Sequence, residues 1–196
     1  AIDHYLDAAA YAFDYLFDSD PLLVGGRNPS DPRFRIACEL YNDSLERLIR
    51  AAQSDRRIEA DGNIKLKVHG KDQVFRVILD DSPWKPADID QILLASDYVV
   101  SGVNAKTYQY GVGVPLIGVR QSDAAAKGDE RFYPPEMAFP LTGYLVPKSR
   151  LKDAGLDHDG GRDCSLQLVD PVRTRSVGPG GTMSVESDFT TPLAYM

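Results

Sequence analysis

Residues 157–163 read Asp157-His158-Asp159-Gly160-Gly161-Arg162-Asp163, with carboxylates two and four residues apart in a glycine-rich stretch. Carboxylate oxygens at that spacing, on a chain free to turn sharply, could wrap a hard cation such as calcium. The EF-hand pattern is not met, because Gly161 stands where an oxygen donor is needed and no acidic residue occupies the twelfth position. A solvated turn is the competing reading. Asp157, Asp159 and Asp163 are therefore the candidate metal ligands, and calcium is the one cofactor the chain suggests.

Nucleophilic chemistry finds less support. Hydrolases of the α/β type present serine on a strained strand-to-helix turn written Gly-x-Ser-x-Gly, since small neighbours let the backbone bend. No such pentapeptide occurs, and Gly180-Gly181-Thr182-Met183-Ser184 has the wrong spacing within strand-like sequence. His4 falls in the first turn of an expected helix, and His69 alternates onto the lysine-bearing face of an expected strand, so both read as solvated. No residue of this chain is assigned a catalytic role. Gly111-Val112-Gly113 and Gly178-Pro179-Gly180-Gly181 open no helix after a parallel strand, so they read as turns rather than phosphate cradles. Two cysteines cannot build a disulfide framework or a zinc site. Cys38 lies on the apolar side of an expected helix, as a small buried hydrophobe would. Ten tyrosines and Trp84 could line a groove, but helix faces that need burial account for Tyr5 and Tyr41.

Bulk properties narrow the field. With 43% hydrophobic and 26% charged residues the chain has the make-up of a globular domain. A net charge of -7 argues against nucleic acid, which requires clustered Lys and Arg to displace counterions. Arg173 and Arg175 form a basic cluster too small for a polyanion. No apolar run approaches the roughly 20 residues that span a bilayer. The chain opens at Ala1 within a helical pattern and closes at Met196 after an apolar run, which reads as a fragment.

The elements follow from periodicity. Ile2, Tyr5, Leu6, Ala9, Phe13, Leu16 and Phe17 recur at helical spacing. Pro21, Gly25, Gly26 and Pro29 then mark a loop, and Asp31-Pro32 supplies a helix start. Phe34, Ala37, Cys38, Tyr41, Leu45, Leu48, Ile49 and Ala52 continue one stripe, so an antiparallel helical pair is expected. Beyond Asp55, Ile64, Leu66 and Val68 alternate with Lys65, Lys67 and His69, and Val74–Leu79 returns as the second arm of a hairpin. Residues 83–97 fit a short helix or an irregular crossing. Further strands are expected at Tyr98–Val103, Val112–Val119, Ala138–Val146, Leu166–Val169 and Thr182–Val185, with Pro115 and Pro140 marking edges or bulges. The expected class is α+β: an N-terminal antiparallel helical pair at 1–55, then a mainly antiparallel β-sandwich or partial barrel at 56–187. Residues 188–196 read as the start of a linker.

Three stretches carry a resemblance. Asp31-Pro32-Arg33-Phe34-Arg35-Ile36-Ala37-Cys38-Glu39-Leu40-Tyr41-Asn42, Gly111-Val112-Gly113-Val114-Pro115-Leu116-Ile117 and Asp188-Phe189-Thr190-Thr191-Pro192-Leu193-Ala194-Tyr195 resemble, in order and separation, the long N-terminal region of a group of bacterial α/β-hydrolase-fold proteins. The resemblance runs over almost the whole chain. It implies an esterase- or lipase-like serine hydrolase whose nucleophile, acid and histidine all follow Met196, and an extracytoplasmic parent, periplasmic or a lipoprotein. The partner it implies is that catalytic α/β-hydrolase domain or chain. On this reading the present residues shape or cover an active site encoded elsewhere, and they should leave an apolar patch larger than a monomer exposes.

Two other classes compete with it. One is a stand-alone β-sandwich module binding glycan, lipid or protein through exposed aromatics, and the other is a metal-dependent enzyme built on the Asp157–Asp163 loop. Calorimetric titration with calcium separates the loop readings, since a calcium site gives stoichiometric heat and a solvated turn gives none.

Overall fold

The computed structural model describes residues 2–17, 30–55, 58–102, 105–121, 136–147, 164–178 and 183–195. Helix α1 spans Ile2–Phe17 and α2 spans Pro32–Asp55. Asp31 starts α2 as expected, its carboxylate accepting the Arg33 amide at 2.9 Å with proline at the first helical position. Arg47 lies over the Tyr5 ring, and Phe13 contacts Tyr41, so the two helices run antiparallel. The stripe from Cys38 through Tyr41, Leu45, Leu48, Ile49 and Ala52 is buried throughout.

Six strands form one sheet: β1 (Asn63–Val68), β2 (Lys71–Asp80), β3 (Ile89–Leu94), β5 (Val114–Gln121), β6 (Glu136–Pro147) and β7 (Cys164–Val169). Their order is β1-β2-β7-β6-β5-β3, with β2 and β7 parallel and the other neighbours antiparallel. The sheet curls into a half-barrel, so the chain has the α+β class, with the helical pair first and a mainly antiparallel sheet second. Short pairs β4 (Tyr108–Gln109) with β10 (Ser187–Asp188), and β8 (Ser176–Val177) with β9 (Met183–Ser184), flank it. A final short helix, α3, spans Thr190–Tyr195. Both helices and the sheet contribute to one buried cluster, in which Leu6, Leu45 and Ile49 join Val77, Leu116 and Leu168.

Three expectations change. His69 is a turn residue, because His69 and Gly70 take φ of 47° and 75° between the paired residues Val68 and Lys71. Positive φ at both central positions suits the twist of a two-residue hairpin. Residues 98–102 carry no strand; a one-turn helix at Ala95–Asp97 redirects the chain, and the Tyr98 ring meets Tyr195 edge-on at 5.2 Å. The strand lies earlier, at Ile89–Leu94, within the stretch whose period was ambiguous. Pro115 and Pro140 sit in interior strands, yet each lies where a flanking strand has ended. Pro115 precedes Leu116, which closes the pairing with β3, and Pro140 precedes Thr142, the first residue paired with β7. The missing N–H groups thus fall at local edges. The Asp157, Asp159 and Asp163 loop, with His158, lies outside the described residues.

A buried tyrosine of α2 fastens the helical pair to the sheet. Beyond Val114, where β5 begins, β6 loses that neighbour, and the Tyr41 hydroxyl takes its place. It donates to the Leu145 carbonyl at 2.8 Å and accepts the Leu145 amide at 2.7 Å. Tyr41 is fully buried, and burial holds its phenol well above the usual range, so it stays neutral and can serve both groups. Tyr41→Phe leaves both backbone groups buried without a partner; it should cost about 2–4 kcal/mol, read as a lowered urea midpoint at unchanged m-value.

Candidate functional site

The first two stretches that carry the resemblance meet at the residue after Tyr41, which also reaches Glu186, two residues before the third begins. One hydrogen of the Asn42 side-chain amide goes to the Gly111 carbonyl at 2.9 Å and the other to Glu186 Oε2 at 2.5 Å. Its Oδ1 accepts the Gly113 amide at 2.8 Å, so donor and acceptor are both engaged. The glycines have local reasons to be glycine. A Cβ on Gly111 would overlap the Ser184 carbonyl, and Gly113 takes φ 108° with Thr142 directly beside it. Val112 between them accepts from the Glu186 amide and donates to the Ser184 carbonyl, both at 2.9 Å. In place of the expected turn, Val112 bridges to Val185 in parallel and the chain bends at Gly113, so the segment is pinned from two sides.

The third stretch is organised by Asp188, whose carboxylate accepts the amides of Thr190 and Thr191 at 2.8 and 2.9 Å and the Thr191 hydroxyl at 2.6 Å. Those are the orphan donors at the start of α3. Thr190 Oγ1 in turn accepts the Thr107 amide at 2.7 Å, which brings α3 against the segment leading into β4.

Glu186 is the group that sequence reasoning missed. It is buried, with Oε1 accepting from the Tyr108 hydroxyl, Oε2 from Asn42, and its backbone carbonyl from Thr142 Oγ1 at 2.5 Å. Burial pushes its carboxyl up to about 7; the Tyr108 hydroxyl and the Gly111 backbone oppose that shift, and Asp43 and Glu46 add to it. A carboxylic acid that exchanges its proton near neutrality, linked to a half-exposed tyrosine, can hold or relay a proton. Nothing in the spacing of a lone Glu in Val185-Glu186-Ser187 signals this, since the effect arises from what folds over it.

Beside this cluster lies an open cleft of about 610 Å³, walled by Phe34, Cys38, Tyr110, Val112, Met183 and Ser184, with Arg35 at its side. Cys38 is buried, as expected of its helix face, and its thiol is pushed up to about 12 by burial, then by Glu186 and Glu39. That thiol is a packing group, not a nucleophile. The Tyr110 hydroxyl donates to the Arg35 carbonyl at 3.3 Å and is likewise pushed up to about 12, by burial first.

His69 lies elsewhere, its amide bonded to Asp3 Oδ1 at 2.5 Å and its Nε2 3.5 Å from Asp7, at the end of the helical pair opposite Phe34. Among the described residues, no serine or cysteine is hydrogen-bonded to a histidine, and no group of three or more metal-binding side chains occurs. None of the described helices is long and apolar enough to cross a membrane. Comparison with models of known protein families, with curated proteins and with solved structures finds no match.

The raised carboxyl makes stability depend on pH. Folded Glu186 keeps its proton up to about 7, whereas the unfolded chain releases it near the ordinary glutamate value of 4.5, so the folded state binds more protons between those limits. Its contribution is complete below 4.5 and is lost as pH rises to about 7, by roughly 3 kcal/mol at most. Denaturant melts of wild type and Glu186→Gln should diverge across that interval, with the variant flatter and more stable at pH 8.

Proposed function

We propose that this chain is the non-catalytic accessory region of an esterase- or lipase-like serine α/β-hydrolase, packed beside a catalytic domain and shaping access to its pocket. The observation that carries the reading is a set of large apolar side chains left exposed on neighbouring segments. Tyr110 reaches the backbone at Arg35, one residue from Ile36, which is 62% exposed. Tyr108 follows on β4, and the Thr107–Thr190 bond leads on to α3, where Leu193 is 67% exposed. Tyr195, 41% exposed, meets the partly buried Tyr98 edge-on, and Val99 beside it is 91% exposed. Large apolar side chains left exposed in this number favour packing against another protein surface.

The hydrogen-bonding of the site supports the same reading. Asn42, Gly111, Gly113 and Asp188, which stand in the three stretches of the resemblance, are all engaged in holding helix, bend and strand together. They act as a scaffold. The helices and half-barrel then present a surface whose shape is fixed by buried polar bonds, as an accessory wall of an enzyme pocket requires.

The purified chain should show no turnover of short-chain p-nitrophenyl esters. Placed in one polypeptide with its hydrolase domain, Leu193→Asp should lower the melting temperature of the whole and cut kcat/KM at least tenfold while the isolated chain melts as before. Ester hydrolysis by the isolated chain, lost on replacing one of its own serines, would overturn the proposal.

A further inference from the structure

The geometry points to the cleft between α2 and the Val112 and Met183 segments as a binding site for a small uncharged amphiphile, an aliphatic chain ending in a hydroxyl or ester oxygen. This stands apart from the accessory-region reading, because it concerns a concavity of this chain alone.

Size and lining come first. About 610 Å³ falls in the range of roughly 300–1,000 Å³ typical of small-molecule sites, which pair apolar walls with a few polar groups. Phe34, Cys38, Val112 and Met183 supply the walls. The cleft also has a fixed floor. Val112 is held on both sides by backbone bonds to 184 and 186, and Asn42 secures the glycines around it, so the shape exists before any ligand arrives. At the polar end, the Tyr110 hydroxyl makes a long 3.3 Å bond to Arg35, and Ser184 is exposed, so both can turn toward a ligand oxygen.

Charge decides the class of ligand. Arg35 stands at one side of the cleft, while Glu39, one turn on along α2, and Glu186 act on the same space. The Tyr110 hydroxyl thus feels charges of both signs, Arg35 on one side against Glu39 and Glu186 on the other. An anionic end would leave water for an apolar cleft in which Arg35 is offset by the acids beside it, and so gains no net partner. A cation would lose its water among apolar walls and meet Arg35. An uncharged chain with one hydrogen-bonding end satisfies both limits.

Methionine methyl groups provide a reporter, since Met183 lines the cleft and Met137 lies on β6 away from it. In the full chain labelled with 13C at the methionine methyls, titration with 1-octanol should shift the Met183 signal saturably and leave Met137 in place. Octanoate should bind at least tenfold more weakly. Tyr110→Phe should weaken octanol about three- to tenfold by removing one hydrogen bond, and Ser184→Trp, filling the cleft from an exposed strand position, should abolish saturation. An unsaturable Met183 shift, equal movement of Met137, octanoate binding as tightly as octanol, or octanol binding unaltered by both variants would each overturn the inference.

Discussion

Two adjacent residues on one helix, Tyr41 and Asn42, join the helical pair to the rest of the molecule. A helix packed on a sheet by apolar contacts alone can slide by a turn, because dispersion and burial are not directional. Tyr41 removes that freedom by occupying both polar groups of Leu145 where β6 has lost a neighbour strand. Asn42 removes it again by reading the Gly111 carbonyl and the Gly113 amide together. Register between α2 and the half-barrel is thus set by directional bonds in a buried place, where leaving them unmade is costly.

Much else depends on that corner. Because Asn42 holds the 111–113 segment, Val112 can pair with the strand segment at 184–186, and Glu186 is brought under the helix. Burial there makes Glu186 a weak acid, and burial likewise raises the thiol and phenol of the neighbouring cleft. On α2, Arg50 bonds Glu46 at 2.9 Å and Asp97 at 2.6 Å, which fixes the turn leading to Tyr98. These exposed pairs add little energy, but they orient the chain that runs on to the exposed Val99.

The helices were legible from periodicity because their faces are one-sided, and Asp31-Pro32 marked the start of α2 to the residue. The hairpin was legible from alternation, although the twist of its turn placed His69 at the tip, outside the ladder. The strand at Ile89–Leu94 was not legible, since Asp90 and Gln91 interrupt its alternation and a bulge shifts its register. The apolar run after it was misread as a strand because Tyr98 does pack, against a small cluster with Ala95 and Ile117, but from a non-strand segment, while Val99 beside it is exposed. For the site, the sequence marked Asn42, Gly111 and Gly113 as parts of patterned stretches without showing that they touch. Glu186 and the cleft were invisible, because proximity across 144 residues and desolvation are properties of the fold.

Native-state hydrogen exchange at the amides of Leu145 and Gly113 tests the corner most directly, since each donates to a side chain of α2 and neither bond belongs to a strand ladder. If Tyr41 and Asn42 hold the molecule together, both amides exchange only with global unfolding, at the same free energy as the core of β6 and β7. Exchange at the rate of surface amides, while β6 and β7 stay protected, would show that the helical pair leaves the sheet without unfolding it and would contradict the account.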